Sequence, residues 1–278
     1  MKKLMKIFRI LILYPILIIG MIGVYSIYVE PRLVISKSNN ININKENESQ
    51  IKLVQFTDTQ LGEFYSLDDL EKAVKKINEQ NADIVVFTGD LIDNASKYDD
   101  LYNVSEVLSK VEAKYGKFAI YGNHDYGGGA VRHYKRIMNE SGFKVLVNSS
   151  EKININGVNV NILGADDALM GSFDVEDTIK GIDENDVNIL LTHEPDLADY
   201  FSEYPVDLVL SGHSHGGQVW IPFIGPIVKN ELSKNYTKGL YQMENESNTS
   251  IFVSSGLGNT KLPFRMFNIP EIVVFNIE

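Results

Sequence analysis

The chain has 278 residues, of which 44% are hydrophobic and 23% charged, as in a globular protein with a sizeable core. Its formal net charge of −11 argues against nucleic acid as a partner, because a phosphate backbone requires a basic surface. The absence of cysteine excludes a disulfide framework and thiolate chemistry, so any metal must have nitrogen and oxygen ligands.

The N-terminal segment predicts a membrane anchor. Residues 10–29 carry no charge, and about 20 apolar residues suffice to cross a bilayer as a helix. Four basic residues precede this run: Lys2, Lys3, Lys6 and Arg9. The positive-inside rule therefore places a stub at 1–9 in the cytoplasm and everything after Glu30 outside. A cleaved signal peptide is the alternative, but the run exceeds the usual ~7–15 residues and lacks a small-x-small cleavage site.

The segment that follows the anchor is polar. Residues 37–50 are rich in asparagine, and we expect 30–50 to form a tether, with an edge strand as the alternative for 37–50.

From Ile51 onward the chain repeats one unit, in which an apolar run of strand length precedes a polar motif and a helical stretch. The five runs, each with its motif, are 53–56 with 57–60, 84–87 with 88–93, 118–121 with 122–125, 188–191 with 192–194, and 208–210 with 211–217. Strands that alternate with helices imply a mainly parallel sheet with right-handed crossovers. Four later strands look antiparallel, at 218–221, 239–243, 250–254 and 272–277.

Helices are predicted between these strands at 66–80, 101–110, 131–140 and 195–201. The first is amphipathic, with Ser66 as its N-cap. The expected fold is one α/β domain at 51–278, in which two packed mixed β-sheets are flanked by helices.

The polar motifs supply a set of possible metal ligands. In open α/β sheets ligands bind beyond the carboxyl ends of the strands, so we expect the five motifs to meet at one edge. Their pooled side chains are Asp58, Gln60, Asp90, Asn123, His124, His193, His213 and His215. This set is too large for one tetrahedral zinc. Two divalent ions ~3.5–4 Å apart, with one bridging carboxylate, would use it to bind a phosphate ester and generate hydroxide.

Most of these motifs are weak signals when taken alone. Thr-Asp-Thr, Thr-Gly-Asp and Gly-Asn-His-Asp are also good turn or helix-cap sequences. Gly-His-Ser-His-Gly differs, because a glycine-flanked turn lacks the bulk to bury His213 and His215 as packing residues. Five motifs in series, each behind a strand, favour the metal site.

In chain order, Asp-x-Gln, Gly-Asp-x-x-Asp, Gly-Asn-His-Asp, Thr-His and Gly-His-Ser-His resemble the calcineurin-like metallophosphoesterase superfamily over about residues 51–278. The anchor, the run 215–218 and the tail 254–265 resemble its membrane-associated bacterial branch. The resemblance implies a four-layer α/β/β/α sandwich with two divalent ions, of Mn, Zn or Fe.

The resemblance also implies a role for each matching residue. The first metal would be held by Asp58, Asp90 and His215. The second would be held by Asp90, Asn123, His193 and His213, with Asp90 as the bridge. His124 would steady the transferring phosphate and protonate the leaving oxygen.

Gln60 departs from the family pattern, which has histidine at this position. An amide oxygen can ligate a cation but is neutral, so we expect a looser first site that tolerates Mn²⁺; the alternative is that water takes its place. Two alternatives are equally open for four further residues, which either lie near the substrate or have a turn or surface role: Gly217, Gln218, Asn259 and Arg265. His133 has no motif around it and is expected at the surface.

These features predict a membrane-anchored binuclear phosphoesterase that acts outside the cytoplasm through metal-bound hydroxide. A UDP-2,3-diacylglucosamine-like lipid nucleotide and another envelope phosphodiester are candidate substrates, although a cytoplasmic lipid precursor would conflict with the predicted orientation. Beyond the first nine residues, 22 basic and 37 acidic residues give a charge of −15, so substrate binding must come from the metals. The alternative function is a non-catalytic binding or scaffold module on a decayed fold, which Gln60 alone supports.

Overall fold

The computed structural model describes residues 2–43, 45 and 50–278. Its N-terminal part is one continuous helical rod. The segment from Met5 to Arg32 is long and apolar enough to cross a membrane, and its most apolar stretch is not buried against the rest of the protein. Within it, α1 (Lys2–Phe8) and α2 (Tyr14–Val24) alternate with π-helical segments at Arg9–Leu13 and Tyr25–Val29. A 3₁₀ turn at Glu30–Arg32 ends the rod.

The remainder contains fourteen β-strands among the residues that the structure describes. They are β1 (Ile35–Ile41), β2 (Ile51–Phe56), β3 (Ile84–Phe87), β4 (Gly116–Ala119), β5 (Lys144–Val145), β6 (Ser149–Ile155), β7 (Val158–Gly164), β8 (Val187–Leu191), β9 (Leu208–Ser211), β10 (Trp220–Ile221), β11 (Gly225–Pro226), β12 (Gly239–Gln242), β13 (Ser250–Val253) and β14 (Glu271–Ile277). The further helices are α3 (Leu67–Asn78), α4 (Leu101–Ser109), α5 (Asn123–Tyr126), α6 (Tyr134–Glu140) and α7 (Val175–Thr178), with shorter 3₁₀ turns between them.

Two six-stranded sheets form the centre of the domain. The first has the order β1-β14-β2-β3-β4-β5, and the second has the order β12-β13-β9-β8-β7-β6. Apolar side chains fill the space between them, and Phe252 of the second sheet meets Phe275 of the first with ring centroids 5.2 Å apart. Further apolar clusters lie under the helices on the outer face of each sheet. The predicted pair of mixed sheets flanked by helices is confirmed.

The parallel strands bring six loops to one edge. β2, β3 and β4 are parallel neighbours in the first sheet, as are β8 and β9 in the second. Five of the six loops are the motifs predicted from the sequence. The sixth follows β13, which was expected to be antiparallel but pairs parallel with β9 and antiparallel with β12. The direction of β13 is set by its hairpin with β12. The apolar pattern of one segment does not indicate whether a strand runs parallel or antiparallel to its neighbours.

Local signals account for several element boundaries. Ser66 caps α3, because its hydroxyl accepts from the backbone N–H of Asp69 at 3.2 Å and the Asp69 carboxylate accepts in return from the backbone of Ser66. The predicted helix at 131–140 begins only at Tyr134, after a 3₁₀ segment at Gly127–Arg132. The short helix at Pro195–Phe201 is also 3₁₀.

Two strand pairings involve stretches that were predicted as a strand only in the alternative, or not at all. Residues Ile35–Ile41 pair parallel with β14 as an edge strand, which corresponds to the strand alternative for the start of 37–50; residues 44 and 46–49 lie outside the described residues. The β6–β7 hairpin had no predicted counterpart.

Candidate metal centre

Two carboxylates lie at the edge of the sheets where these loops meet. Asp58 follows β2 and Asp90 follows β3, and both side chains are buried. His193, which follows β8 of the other sheet, is buried between them. One ligand atom from each of the three residues lies within 4.8 Å of the other two. The two sheets therefore supply a compact group of oxygen and nitrogen donors.

The loops that carry these residues have an uncommon backbone conformation. Five of the eight predicted site residues have φ in the left-handed region, namely Asp58 (51°), Gln60 (47°), Asp90 (63°), His213 (64°) and His215 (48°). L-residues adopt this region infrequently, and it costs ~1–3 kcal/mol where a surrounding structure enforces it. The strain concentrates where side chains from separate strands must turn toward one point.

Two motif glycines leave room for the carboxylates. A Cβ on Gly212 would lie 2.2 Å from Asp58 Oδ2, and a Cβ on Gly122 would lie 2.3 Å from Asp90 Oδ1. Neither contact is tolerable, so these positions require glycine for packing whatever their backbone angles. The recurrence of glycine in the motifs thus has a steric cause.

The three candidate ligand histidines share one arrangement: one ring nitrogen is bonded to a backbone carbonyl and the other faces a donor of the cluster. His193 Nδ1 lies 2.7 Å from Thr88 O, and its Nε2 lies 3.3 Å from Asp90 Oδ2. His215 Nδ1 lies 3.2 Å from Gly258 O, with Nε2 3.4 Å from Asp58 Oδ1.

His213 uses its nitrogens in the reverse sense. Its Nε2 lies 2.9 Å from Glu231 O, and its Nδ1 lies 3.1 Å from Asn123 Oδ1. A carbonyl partner fixes the tautomer, because it requires a proton on the nitrogen that faces it and leaves the other nitrogen as an acceptor. All three rings are oriented in the way that metal-binding imidazoles require.

Gln60 is buried against Asp90. Its amide nitrogen donates to Asp90 Oδ2 at 2.6 Å, and its Oε1 is buried without a hydrogen-bond partner. The two ends of an amide can exchange by rotation about the last side-chain torsion. Gln60 is therefore placed beside the carboxylate that both predicted metal sites would share.

His124 stands at the edge of the cluster and is half-buried. Its Nδ1 lies 2.9 Å from the carbonyl of Asp93, and its backbone N–H donates to Asp90 Oδ1 at 2.9 Å. Desolvation lowers the pKa of His124, but the Asp90 carboxylate and the Asp93 carbonyl outweigh it and raise that pKa. This ring lines the open pocket while its main chain supports the central carboxylate.

Burial and mutual charge shift the pKa values of the cluster in opposite directions. Burial raises the pKa of Asp58 to about 6. Burial would lower the pKa of His193, but the adjacent Asp90 raises it well above its ordinary value. Burial lowers the pKa of His213 to about 4, and the pKa of His215 also lies well below its ordinary value because of burial. The buried carboxylates thus require a positive charge beside them, which a divalent cation would supply.

Asp125 is a site residue that the sequence interpretation missed. It is fully buried, and its carboxylate accepts from the backbone N–H groups of Asp90, Leu91 and Gly122 at 2.7, 2.9 and 2.9 Å. It therefore ties the loop after β3 to the loop after β4. The available signal was its place at the end of the Gly-Asn-His-Asp motif.

Arg265 lies in the protein interior, so it is not at the surface. It is fully buried and donates to the carbonyls of Ser255, Gly258 and Asn268 and to the side chain of Asn259. It holds the loop after β13, whose Gly258 carbonyl orients His215.

The other residues with open alternatives lie in the pocket or in the interior. Gly217 and Gln218 line the pocket, whereas Asn259 is buried. His133 is half-buried just before α6.

A cavity of about 600 Å³ opens onto the candidate centre. Its lining includes polar groups of the site, among them Asp90, His124 and His213. It also includes six apolar side chains, which are Leu169, Val219, Ile227, Val228, Leu262 and Phe264. A cavity of this kind accepts a ligand with a charged head and an apolar body.

The donor set fits divalent cations. Among the described residues, Gln60 Oε1 is buried without a hydrogen-bond partner and His193 Nε2 faces only the Asp90 carboxylate at 3.3 Å, although buried polar atoms are nearly always paired. Carboxylate, amide and imidazole donors suit zinc, iron or manganese. A cation among them would satisfy both atoms.

The family model for calcineurin-like phosphoesterases matches residues 51–217, which include every predicted site residue. This chain belongs to the calcineurin-like phosphoesterases. An uncharacterized metallophosphoesterase of Bacillus subtilis, YkuE, is 40% identical over 91% of this chain and 89% of its own length. A second uncharacterized metallophosphoesterase of that organism, YkoQ, is 28% identical over 87% of this chain and 90% of its own. The UDP-2,3-diacylglucosamine pyrophosphatase LpxG of Chlamydia muridarum is 27% identical over 81% of this chain and 82% of its own.

As a calcineurin-like phosphoesterase, the chain is a hydrolase of phosphoester bonds that uses divalent metal, and the predictions of family and enzyme class are confirmed. The 40% identity to a relative of nearly equal length extends this likeness beyond the matched domain to most of the chain.

Proposed function

We propose that this phosphoesterase is anchored in the membrane, uses two divalent cations, and hydrolyses a lipid-linked phosphoester or pyrophosphate outside the cytoplasm. The observation that carries the catalytic part is the arrangement of the three histidines. Each ring has one nitrogen on a backbone carbonyl and the other facing Asp58, Asp90 or Asn123. This orientation is the one that cation binding requires.

The donors divide into two groups around Asp90. We assign Asp58, Asp90 and His215 to the first cation, with Gln60 beside them, and Asp90, Asn123, His193 and His213 to the second. When bound, the cations polarise the phosphoryl oxygens and lower the pKa of coordinated water. The apposition of His215 with Asp58 at 3.4 Å and of His213 with Asn123 at 3.1 Å supports this division.

His124 supplies the proton for the leaving oxygen in this proposal. Its Nδ1 is engaged by the carbonyl of Asp93, which leaves Nε2 for a substrate oxygen in the pocket. The Asp90 carboxylate and Asp93 together outweigh the desolvation of the ring and raise its pKa, which favours the protonated form. A donor in this position stabilises the departing oxygen as its bond to phosphorus breaks.

The shape of the cavity supports an amphipathic substrate. Its lining combines the polar residues of the site with apolar side chains such as Val219, Ile227 and Phe264. LpxG is named as a pyrophosphatase of UDP-2,3-diacylglucosamine, which combines a pyrophosphate with acyl chains. We therefore propose a phosphoester or pyrophosphate linked to a lipid as the substrate class.

The N-terminal helix supports the anchor. It is apolar along its length, and the basic Lys6 and Arg9 lie near its start. Basic residues on the cytoplasmic side would orient the catalytic domain outward.

The catalytic proposal is tested with the full chain in detergent and a generic substrate, bis(4-nitrophenyl) phosphate. Asp90→Asn should abolish metal-dependent hydrolysis, because it weakens the donor shared by both groups. Asp83→Asn is the matched control, since Asp83 lies at the opposite end of the same strand, where it binds Lys52 and Lys114. Equal activity of Asp90→Asn and the parent chain would refute the proposal.

The location is tested by cysteine labelling, because the chain has no cysteine of its own. Ser109→Cys places a thiol on the exposed end of α4, and Lys6→Cys places one before the apolar run. A membrane-impermeant maleimide should label position 109 in intact cells and position 6 only after lysis. The reverse pattern would place the catalytic domain inside.

A further inference from the structure

Six large apolar side chains are exposed on two segments, 223–228 and 262–267, that also supply part of the cavity lining. We call them the apolar rim, and they are Phe223, Ile224, Ile227, Val228, Leu262 and Phe267. Phe223 is fully exposed and Ile224 is 79% exposed, at the tip of the β10–β11 hairpin. Ile227, Val228 and Leu262 also line the cavity, so the rim is continuous with its apolar lining. Exposed apolar groups clustered at one site mark an interaction surface.

The end of the N-terminal helix is bonded to the segment that carries part of this rim. The backbone N–H of Arg265 donates to the carbonyl of Ser26 at 3.0 Å, and the backbone N–H of Asn268 donates to the carboxylate of Glu30. Both Ser26 and Glu30 are buried. The helix therefore ends on the catalytic domain in a fixed contact, directly beside Phe267.

The hairpin is joined to the same segment. Trp220 N donates to Met266 O at 2.9 Å, and Met266 N donates to Gln218 O at 3.0 Å. Gln218 in turn accepts from the backbone N–H of Thr260 through its side chain at 2.7 Å. The helix end, the 265–268 segment, the hairpin and the cavity mouth thus form one hydrogen-bonded unit.

We propose that the apolar rim inserts into the outer surface of the same bilayer that the N-terminal helix spans, an inference that rests on the membrane anchor proposed above. The helix leaves the bilayer near Ser26 and Glu30, so whatever is bonded to these residues lies at the lipid surface. Apolar side chains of interfacial elements bury themselves about 5–10 Å into the headgroup and acyl boundary. Lys229 and Lys261, both exposed beside rim residues, suit anionic headgroups at that level.

The insertion has a consequence for substrate access. Because Ile227, Val228 and Leu262 belong both to the rim and to the cavity wall, the cavity opens at the level of the headgroups. A lipid-linked phosphoester could then reach the site with its headgroup alone, while its chains stay in the membrane. Hydrogen bonds join the segment that carries part of the rim to the end of the helix that enters the bilayer. We therefore favour the bilayer over a second copy of the chain as the partner of the rim.

Trp220 is the only tryptophan of the chain and lies in the hairpin, so its fluorescence reports on insertion. The full chain is reconstituted into vesicles of phosphatidylcholine and phosphatidylglycerol, with and without brominated acyl chains. We expect brominated lipid to quench Trp220, and we expect the double variant Phe223→Asp/Ile224→Asp to lose that quenching. The matched control is Tyr102→Asp/Tyr200→Asp, which changes two exposed aromatic residues elsewhere and should retain it.

The other outcomes overturn the inference. Trp220 that is not quenched in the parent chain, or is quenched equally in the hairpin variant, would show that the rim does not enter the bilayer. Crosslinking between chains that is lost in that variant, without lipid quenching, would assign the rim to a second copy. Hydrolysis of soluble bis(4-nitrophenyl) phosphate separates this inference from the catalytic proposal, because the hairpin variant should retain it. A chain that shows quenching but no hydrolysis would preserve the rim and refute the proposed catalysis.

Discussion

The carboxylate of Asp125 holds the backbone of Asp90, accepting from its N–H at 2.7 Å while also binding the N–H groups of Leu91 and Gly122. Asp90 has a φ of 63°, which an aspartate does not adopt readily without support. Three hydrogen bonds to one buried carboxylate supply that support. Asp125 is in this respect a positioning residue for the central donor of the site.

The variant Asp125→Asn tests this relationship. Asparagine replaces one acceptor oxygen by a donor, so at least one of the three backbone N–H groups loses its partner. We expect metal affinity to fall about 10–100-fold, as is usual when a group that orients a ligand is changed. Calorimetric titration of the metal-free chain with Mn²⁺ measures the change. Asp174→Asn, which alters the carboxylate that caps α7, is the control, and equal affinity in both variants would contradict the assignment.

Gln60 is expected to limit the affinity of the first cation site. In Gln60→His a ring nitrogen replaces a neutral amide oxygen beside Asp90, so metal affinity at this site should rise. Competition with a chelator of known affinity measures the effect on the weaker of the two binding steps. Affinity identical to that of the parent would show that residue 60 is not a ligand.

His124→Ala should retain both cations and lose about 10²–10⁴-fold in turnover, because a positioned proton donor contributes that much. The loss should depend on the leaving group. Esters of 4-nitrophenol need little protonation, whereas esters of phenol or of an alkyl alcohol need more, so the penalty should grow along that series.

His133→Ala is the control for this prediction, since His133 is a half-buried histidine outside the cluster. A loss that is uniform across leaving groups would exclude His124 as the proton donor. A loss of bound metal in His124→Ala would make that residue a ligand instead.

Arg265 is expected to stabilise the fold more than any surface cation. Its guanidinium is buried among three backbone carbonyls and the Asn259 side chain, which Arg265→Leu would leave unpaired. We expect the free energy of unfolding to fall, because each buried acceptor that is left without a partner costs about 1–3 kcal/mol. Thermal unfolding in detergent measures it. Arg136→Leu, which breaks an exposed pair with Glu140, should change the melting temperature little, and equal shifts would contradict this view.

The sequence predicted site residues wherever a polar motif directly follows an apolar run of strand length. Asp58, Asp90 and His193 could be grouped because each follows an apolar run, and parallel strands present their carboxyl ends at one edge. The carbonyl partners of the histidines could not be found in this way. Glu231 reaches His213 through its backbone, and a carbonyl has no residue-specific signal.

The class of the fold could be predicted from the sequence, but several of its strand pairings could not. The direction of β13 depends on its hairpin with β12. The β6–β7 hairpin was missed although Asn156-Gly157, between two runs of alternating apolar and polar residues, is a hairpin signal. The buried location of Arg265 also escaped prediction, because a charged residue in a tail signals exposure until its partners are known.

In our proposal Asp90 would be shared by two cations, and the Gly-His-Ser-His turn would supply one histidine to each. The number of divalent ions bound per chain tests this, measured by elemental analysis of the purified full chain and its variants. We expect two ions in the parent chain, one in His213→Ala, one in His215→Ala, and fewer than one in Asp90→Ala. A parent chain with a single ion that both histidine variants lose together would contradict it.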